Sequence, residues 1–156
     1  MPTQNHLVLE PGGGERLRFL DNSTLLLKTL GEQPDGGALA FYEYIAAPAA
    51  KGSPQHIHHA HDETFYVVDG NFEFALGGTT VAAGPGAFLS VARGQPHGFR
   101  NVGDSNGCIV GTFSPARFAQ YFRELAEIIE RTGAAPDLEA WTKLYGRYDT
   151  TFYDEH

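Results

Sequence analysis

The sequence predicts an all-β fold, a sandwich or barrel, with a helical C-terminal appendage, and three observations predict it. Eight short segments follow one another between Arg16 and Phe113, each about five to eight residues long and bounded by Gly, Pro, Asp or Asn. The composition favours turns and strands, with 19 glycines, 9 prolines, 11 phenylalanines and 7 tyrosines in 156 residues. After Ser114 the apolar spacing changes from two to three or four, the period of a helix.

In chain order the β-type segments read RLRFL, STLLLKTL, ALAFYEYI, ETFYVVD, FEFAL, TTVAA, AFLSVA and GCIVGTF. Turns are expected at PDGG (34–37), DGN (69–71), GG (77–78) and GPG (84–86), where Gly, Pro and Asp supply turn geometry. Ser114 is placed to cap a helix with Pro115 as its first residue, and Phe118, Phe122, Leu125 and Ile129 then share one face as far as Gly133. A second short helix is expected over PDLEAWTKLYGRY, with Leu138, Trp141 and Tyr145 on one face, and the last residues, DTTFYDEH, are expected to be extended. The length suits one folded unit, with residues 1–114 as the β body and residues 115–156 as the extension packed on it.

A formal net charge of -8 without a Lys/Arg cluster argues against nucleic acid as a partner. No run approaches the ~18 apolar residues of a membrane span, and no leader pattern opens the chain. Cys108 is the single cysteine, which excludes an internal disulfide and a Cys-based zinc site and fits a cytoplasmic protein.

The stretch PQHIHHAHDETFYVVDG (54–70) holds four of the chain's seven histidines. On a strand, His56 and His58 point to one face and Ile57 to the other, so both imidazoles can reach one ion. Glu63 opens the next extended run, where a bend can return its carboxylate to the same centre. His97 in RGQPHGFRN is the available fourth group. His59 has the opposite parity and His61 sits in the bend, so both are expected in solvent or supporting a ligand from behind. His6 and His156, near the termini, carry no signal.

These spacings resemble a known family. His56-x-His58-x4-Glu63-x6-Gly70 is similar to the first motif of the cupins, and Gly86-x7-Gly94-x2-His97-x3-Asn101 to the second. Two positions depart from the pattern: Ala92 stands where the second motif has proline, and Gly52 lies two positions after the usual opening glycine of the first. The resemblance implies a double-sheet jelly roll in which His56, His58, Glu63 and His97 converge on one divalent transition metal (Fe, Mn, Ni, Co, Cu or Zn). It extends loosely to the C-terminal segment, which is similar to that of small single-domain cupins related to quercetin 2,3-dioxygenases. In those proteins a helix borders the cavity entrance and homodimers are common, so a homodimer joined through N-terminal strands or sheet edges is expected here too.

Parity also predicts a pocket. If Glu63 and His97 face inward, so do Phe65, Val67, Phe99 and Asn101; Phe72, Phe74 and Leu76 form another apolar face. The strand at 40–46 offers either Phe41, Glu43 and Ile45 or Tyr42 and Tyr44. We take Phe41, Phe65, Phe74, Phe99, Phe118 and Phe122 as candidate pocket residues for a hydrophobic or aromatic small molecule. Three histidines and one carboxylate leave open positions on a six-coordinate ion, and Glu63 is the candidate catalytic residue, as ligand or as general base. The expected activity is that of a dioxygenase acting on a flavonol-like or other enolic aromatic substrate. The alternatives are a non-redox metal-dependent isomerase, cyclase or decarboxylase and a non-catalytic ligand-binding protein.

Overall fold

The computed structural model describes residues 6–29 and 37–154; three residues of the turn expected at 34–37, and His156, lie outside them. Among the described residues eleven strands form: β1 (Glu15–Arg18), β2 (Thr24–Thr29), β3 (Ala40–Ala46), β4 (Ser53–His58), β5 (Asp62–Asp69), β6 (Phe72–Leu76), β7 (Thr79–Ala83), β8 (Phe88–Val91), β9 (His97–Asn101), β10 (Gly107–Ser114) and β11 (Thr150–Phe152). Two helices, α1 (Ala119–Thr132) and α2 (Leu138–Gly146), lie between β10 and β11.

The strands build two antiparallel sheets, ordered β1-β2-β3-β10-β5-β8 and β11-β4-β9-β6-β7. They face each other across an apolar interior, the double-sheet arrangement of a jelly roll. Period-two alternation sets which side chains enter it. On β5 Glu63, Phe65 and Val67 are buried, on β6 Phe72 and Phe74, and on β10 Ile109 and Phe113. The Gly77-Gly78 turn closes a tight hairpin in which Leu76 pairs with Thr79. Asn101 faces inward but serves the loops: its side-chain amide donates to the carbonyls of Ala47 and Ser105, each at 3.0 Å, and its oxygen accepts from the Gly103 N–H.

Strand β3 resolves the choice that its sequence left open. Tyr42 and Tyr44 face the interior, whereas Phe41, Glu43 and Ile45 lie half-buried on the outer side. Both faces of this strand are largely apolar, so alternation alone does not orient it.

The C-terminal segment differs in two details from the sequence reading. Ser114 ends β10 and caps nothing; after the cis Ser114–Pro115 bond a single 3-10 turn (Ala116–Phe118) leads into α1, whose start has no side-chain cap. On α2, Asp137 accepts from the Ala140 N–H at 2.9 Å as N-cap, and the buried residues are Leu144 and Tyr145, while Leu138 is 72% exposed. The last residues are extended as expected, and β11 joins the five-stranded sheet, pairing Thr150 with His58 and Phe152 with His56. The end of α1 agrees with expectation: Gly133, at φ 70°, donates to the Ile129 carbonyl.

The two departures from the family pattern have local explanations. The turn from β8 to β9 closes without proline at 92, through a Gln95 N–H to Ala92 O bond of 3.2 Å. Gly52 leads the chain into β4 at φ 62°, and a Cβ there would lie 2.1 Å from the Phe99 carbonyl oxygen on β9. Only glycine meets both conditions. Gly52→Ala is therefore expected to destabilise the protein by about 3 kcal/mol, read by urea denaturation. A loss under about 1 kcal/mol would show that the entry to β4 can shift freely.

Candidate metal centre

The four residues singled out by spacing meet in the interior. His56 and His58 come from β4 and His97 from β9, where it pairs directly with His56. Glu63 comes from β5 in the opposite sheet, so the centre lies between the two layers. One donor atom from each residue lies within 4.8 Å of the others, and all four side chains are buried. His56 Nε2 is 3.1 Å from His58 Nε2; Glu63 Oε2 is 3.1 Å from His58 Nε2 and 2.8 Å from His97 Nε2. Ligands about 2.1 Å from an ion and about 90° apart would be separated by about 3 Å.

The outer nitrogens fix which tautomer each ring adopts. His56 Nδ1 donates to the Pro54 carbonyl at 2.7 Å and His97 Nδ1 to the Gln95 carbonyl at 3.0 Å. Thr150 donates its hydroxyl proton to the Tyr148 carbonyl, so its oxygen accepts from His58 Nδ1 at 2.9 Å. Each Nδ1 thus carries hydrogen, and each Nε2 turns a lone pair toward the others and toward Glu63. A proton on His97 Nε2 can satisfy one contact with Glu63. It leaves His56 and His58 acceptor to acceptor, an arrangement that a cation relieves. The residues present therefore fit a metal ion, and His56, His58, Glu63 and His97 can hold it.

Electrostatics agree with that chemistry. Burial, then the neighbouring His58 and His97, holds His56 well below the ordinary histidine pKa; burial also lowers His58 despite Glu63. At His97 burial acts downward, but the Glu63 carboxylate outweighs it and leaves the ring above its usual value. Burial would raise the Glu63 carboxyl, yet hydrogen bonds with His58 and His97 hold it well below the usual range. The site is thus set for neutral His56 and His58 beside an ionised Glu63, whose carboxylate favours the proton on His97 that a metal ion would displace.

His59 is exposed, with Nε2 2.9 Å from the Thr151 hydroxyl. His61 does not lie in solvent: it is 4% exposed, its ring 4.1 Å from that of His58 and 4.9 Å from that of Phe118. Its Nε2 has no hydrogen-bond partner among the described residues, and burial, with His58 alongside, pushes its pKa down to about 3. It packs as a neutral ring behind His58 and stands apart from the converging set.

A cavity of about 220 Å³ opens over His56 and Glu63. Tyr42, Tyr44, Phe99 and Phe113 form its sheet wall, and Phe118, Tyr121, Phe122, Leu125, Trp141 and Tyr145 its helical wall. Of the six candidate pocket residues it presents Phe99, Phe118 and Phe122. Phe65 and Phe74 meet edge-on at 5.1 Å and pack with Phe99 in the core, and Phe41 is on the far side of its strand. The lining residues include no lysine or arginine; the charged ones are Glu63 and Asp21, and Asp21 accepts from the Ser23 N–H at 2.9 Å. Sequence reasoning missed Tyr42, Tyr145 and Thr150. Tyr42 had a signal in the alternation of β3, whereas Thr150 and Tyr145 reach the site only through the return of the chain end to β4.

The cupin domain model matches residues 42–112. Quercetin 2,3-dioxygenase of Bacillus subtilis is 28% identical over 123 residues, which cover 79% of this chain and 35% of that protein. The chain thus spans about a third of the length of that relative. Among solved structures, KdgF from Halomonas sp. superposes with a TM-score of 0.64 at 20% identity, over 74% of this chain and 99% of that one. The polyketide cyclase RemF from Streptomyces resistomycificus does so with a TM-score of 0.58 at 20% identity, over 70% and 80% of the two chains. These likenesses establish a shared fold. The segment matched by the cupin domain model carries every converging side chain, and the fold is the double-sheet fold of the cupin structures that this chain resembles.

Proposed function

We propose that the protein is a metal-dependent dioxygenase of small, uncharged enolic aromatic molecules of the flavonol kind. The observation that carries this reading is the cavity: aromatic on both walls, floored by His56 and Glu63, and without a basic side chain among its lining residues. Apart from the metal itself, a substrate already anionic, such as a carboxylate or a sugar phosphate, would meet no countercharge along the cavity walls, where Asp21 stands. A flat neutral ring system meets Phe99, Phe113, Phe118 and Phe122, which suit stacked and edge-on contacts and exclude water from the floor.

A divalent transition metal held by the four residues would supply Lewis acidity and open coordination positions at the cavity floor. Glu63 is the group we assign to the enol proton, since among the described lining residues it is the one carboxylate beside the imidazoles. The similarity to the Bacillus subtilis quercetin 2,3-dioxygenase supports the use of dioxygen. The second reading is a non-redox conversion of the same substrate class, such as the ring closure named for RemF, whose fold this chain shares.

Oxygen uptake separates the two. The metal-loaded protein is expected to consume dioxygen with a flavonol such as quercetin, followed with an oxygen electrode; product formed under argon would favour the non-redox reading. Glu63→Gln is expected to lower turnover at least 100-fold while flavonol binding, followed by fluorescence, changes less than about threefold. Thr150→Val, which removes the acceptor for His58 Nδ1, is expected to weaken Zn(II) binding about tenfold in a chelator competition assay.

A further inference from the structure

Glu63 turns one oxygen, Oε2, toward His58 and His97. The other, Oε1, accepts a 2.8 Å hydrogen bond from the Tyr42 hydroxyl, with both residues almost fully buried. Tyr42 stands on β3 and Glu63 on β5, with β10 between them. That is a reach of about 10 Å between strand axes, so the tyrosine ring must lean across the intervening strand.

What lets it do so is Gly111, the residue on β10 that pairs with Tyr42. A Cβ at 111 would lie 2.1 Å from Tyr42 Cζ and 2.2 Å from its hydroxyl oxygen, so any side chain there would evict the ring. Phe113, stacked at 5.4 Å, and Phe122, edge-on at 5.6 Å, hold the ring from the cavity side. Three features of the chain thus serve one hydrogen bond: a gap in β10, two aromatic neighbours, and a tyrosine on the inward face of β3.

We infer that Tyr42 is a positioning residue for Glu63: by occupying Oε1 it leaves Oε2 alone to face the three imidazoles, so the carboxylate attaches to a metal through one oxygen. The inference rests on the metal-centre reading above. Without the hydroxyl, Oε1 would be a buried carboxylate oxygen with no donor, and rotation toward the ion would be its ready remedy.

Co(II) titration of the wild type and Tyr42→Phe at fixed pH, with visible absorption recorded, tests it. The substitution keeps the ring and its packing. The expected result is a dissociation constant about tenfold higher for Tyr42→Phe, together with a change in the position and intensity of the Co(II) bands. Equal affinity and superimposable spectra would overturn the role of Tyr42 alone. Failure of the wild type to bind Co(II) would overturn the metal reading and this inference with it. A second measurement needs no variant: the infrared difference spectrum of wild-type protein on Zn(II) loading should carry the carboxylate splitting of one-oxygen attachment. The pattern of two-oxygen attachment would overturn the inference.

Discussion

Four buried electron-pair donors pointing at one another between the two sheets is the constraint around which the rest of this structure is arranged. A buried carboxylate costs several kcal/mol unless it is paired, and facing imidazole lone pairs add to that cost. One proton on His97 relieves one contact; a metal ion relieves all of them. Folding and metal binding should therefore be coupled, with the ion stabilising the folded chain according to its concentration and affinity.

The supporting contacts come from across the chain. The carbonyls of Pro54 and Gln95 orient His56 and His97, and Thr150 orients His58. The C-terminal segment is for this reason more than a cover. Its last strand extends the sheet that carries the histidines, Tyr145 packs its ring 5.6 Å from that of His56, and Phe118 packs 4.3 Å from His58. The same segment forms the helical wall of the cavity, so ligand orientation and substrate enclosure are built from one piece of chain.

Much of this was legible in the sequence because period-two alternation is a strong signal wherever one face is apolar. The alternation on β5, β6 and β9 put Glu63, Phe65, Phe72, Phe74, His97 and Phe99 on the faces they occupy, and the spacing of His56, His58, Glu63 and His97 marked the set that converges. On β3 the signal fails because Phe41 and Ile45 are as apolar as Tyr42 and Tyr44, and the half-buried outer face accommodates the former pair. His61 lies in a bend, where parity has no meaning, and tertiary packing against His58 and Phe118 decides its burial. The pairing of Thr150 with His58 joins residues 92 apart in sequence, beyond any local pattern. The cavity walls were misjudged for the same reason: Phe65 and Phe74 face inward as alternation requires, but alternation does not say which inward residues lie beneath others.

The central claim is that the converging residues hold one metal ion between the sheets. It is tested most directly by anomalous diffraction from crystals of the protein grown with Co(II) or Zn(II), recorded at the metal absorption edge. The account predicts one strong anomalous peak per chain, within bonding distance of His56 Nε2, His58 Nε2, His97 Nε2 and Glu63 Oε2, with Glu63 Oε1 still on the Tyr42 hydroxyl. No peak among these four side chains in protein shown to be folded would contradict it.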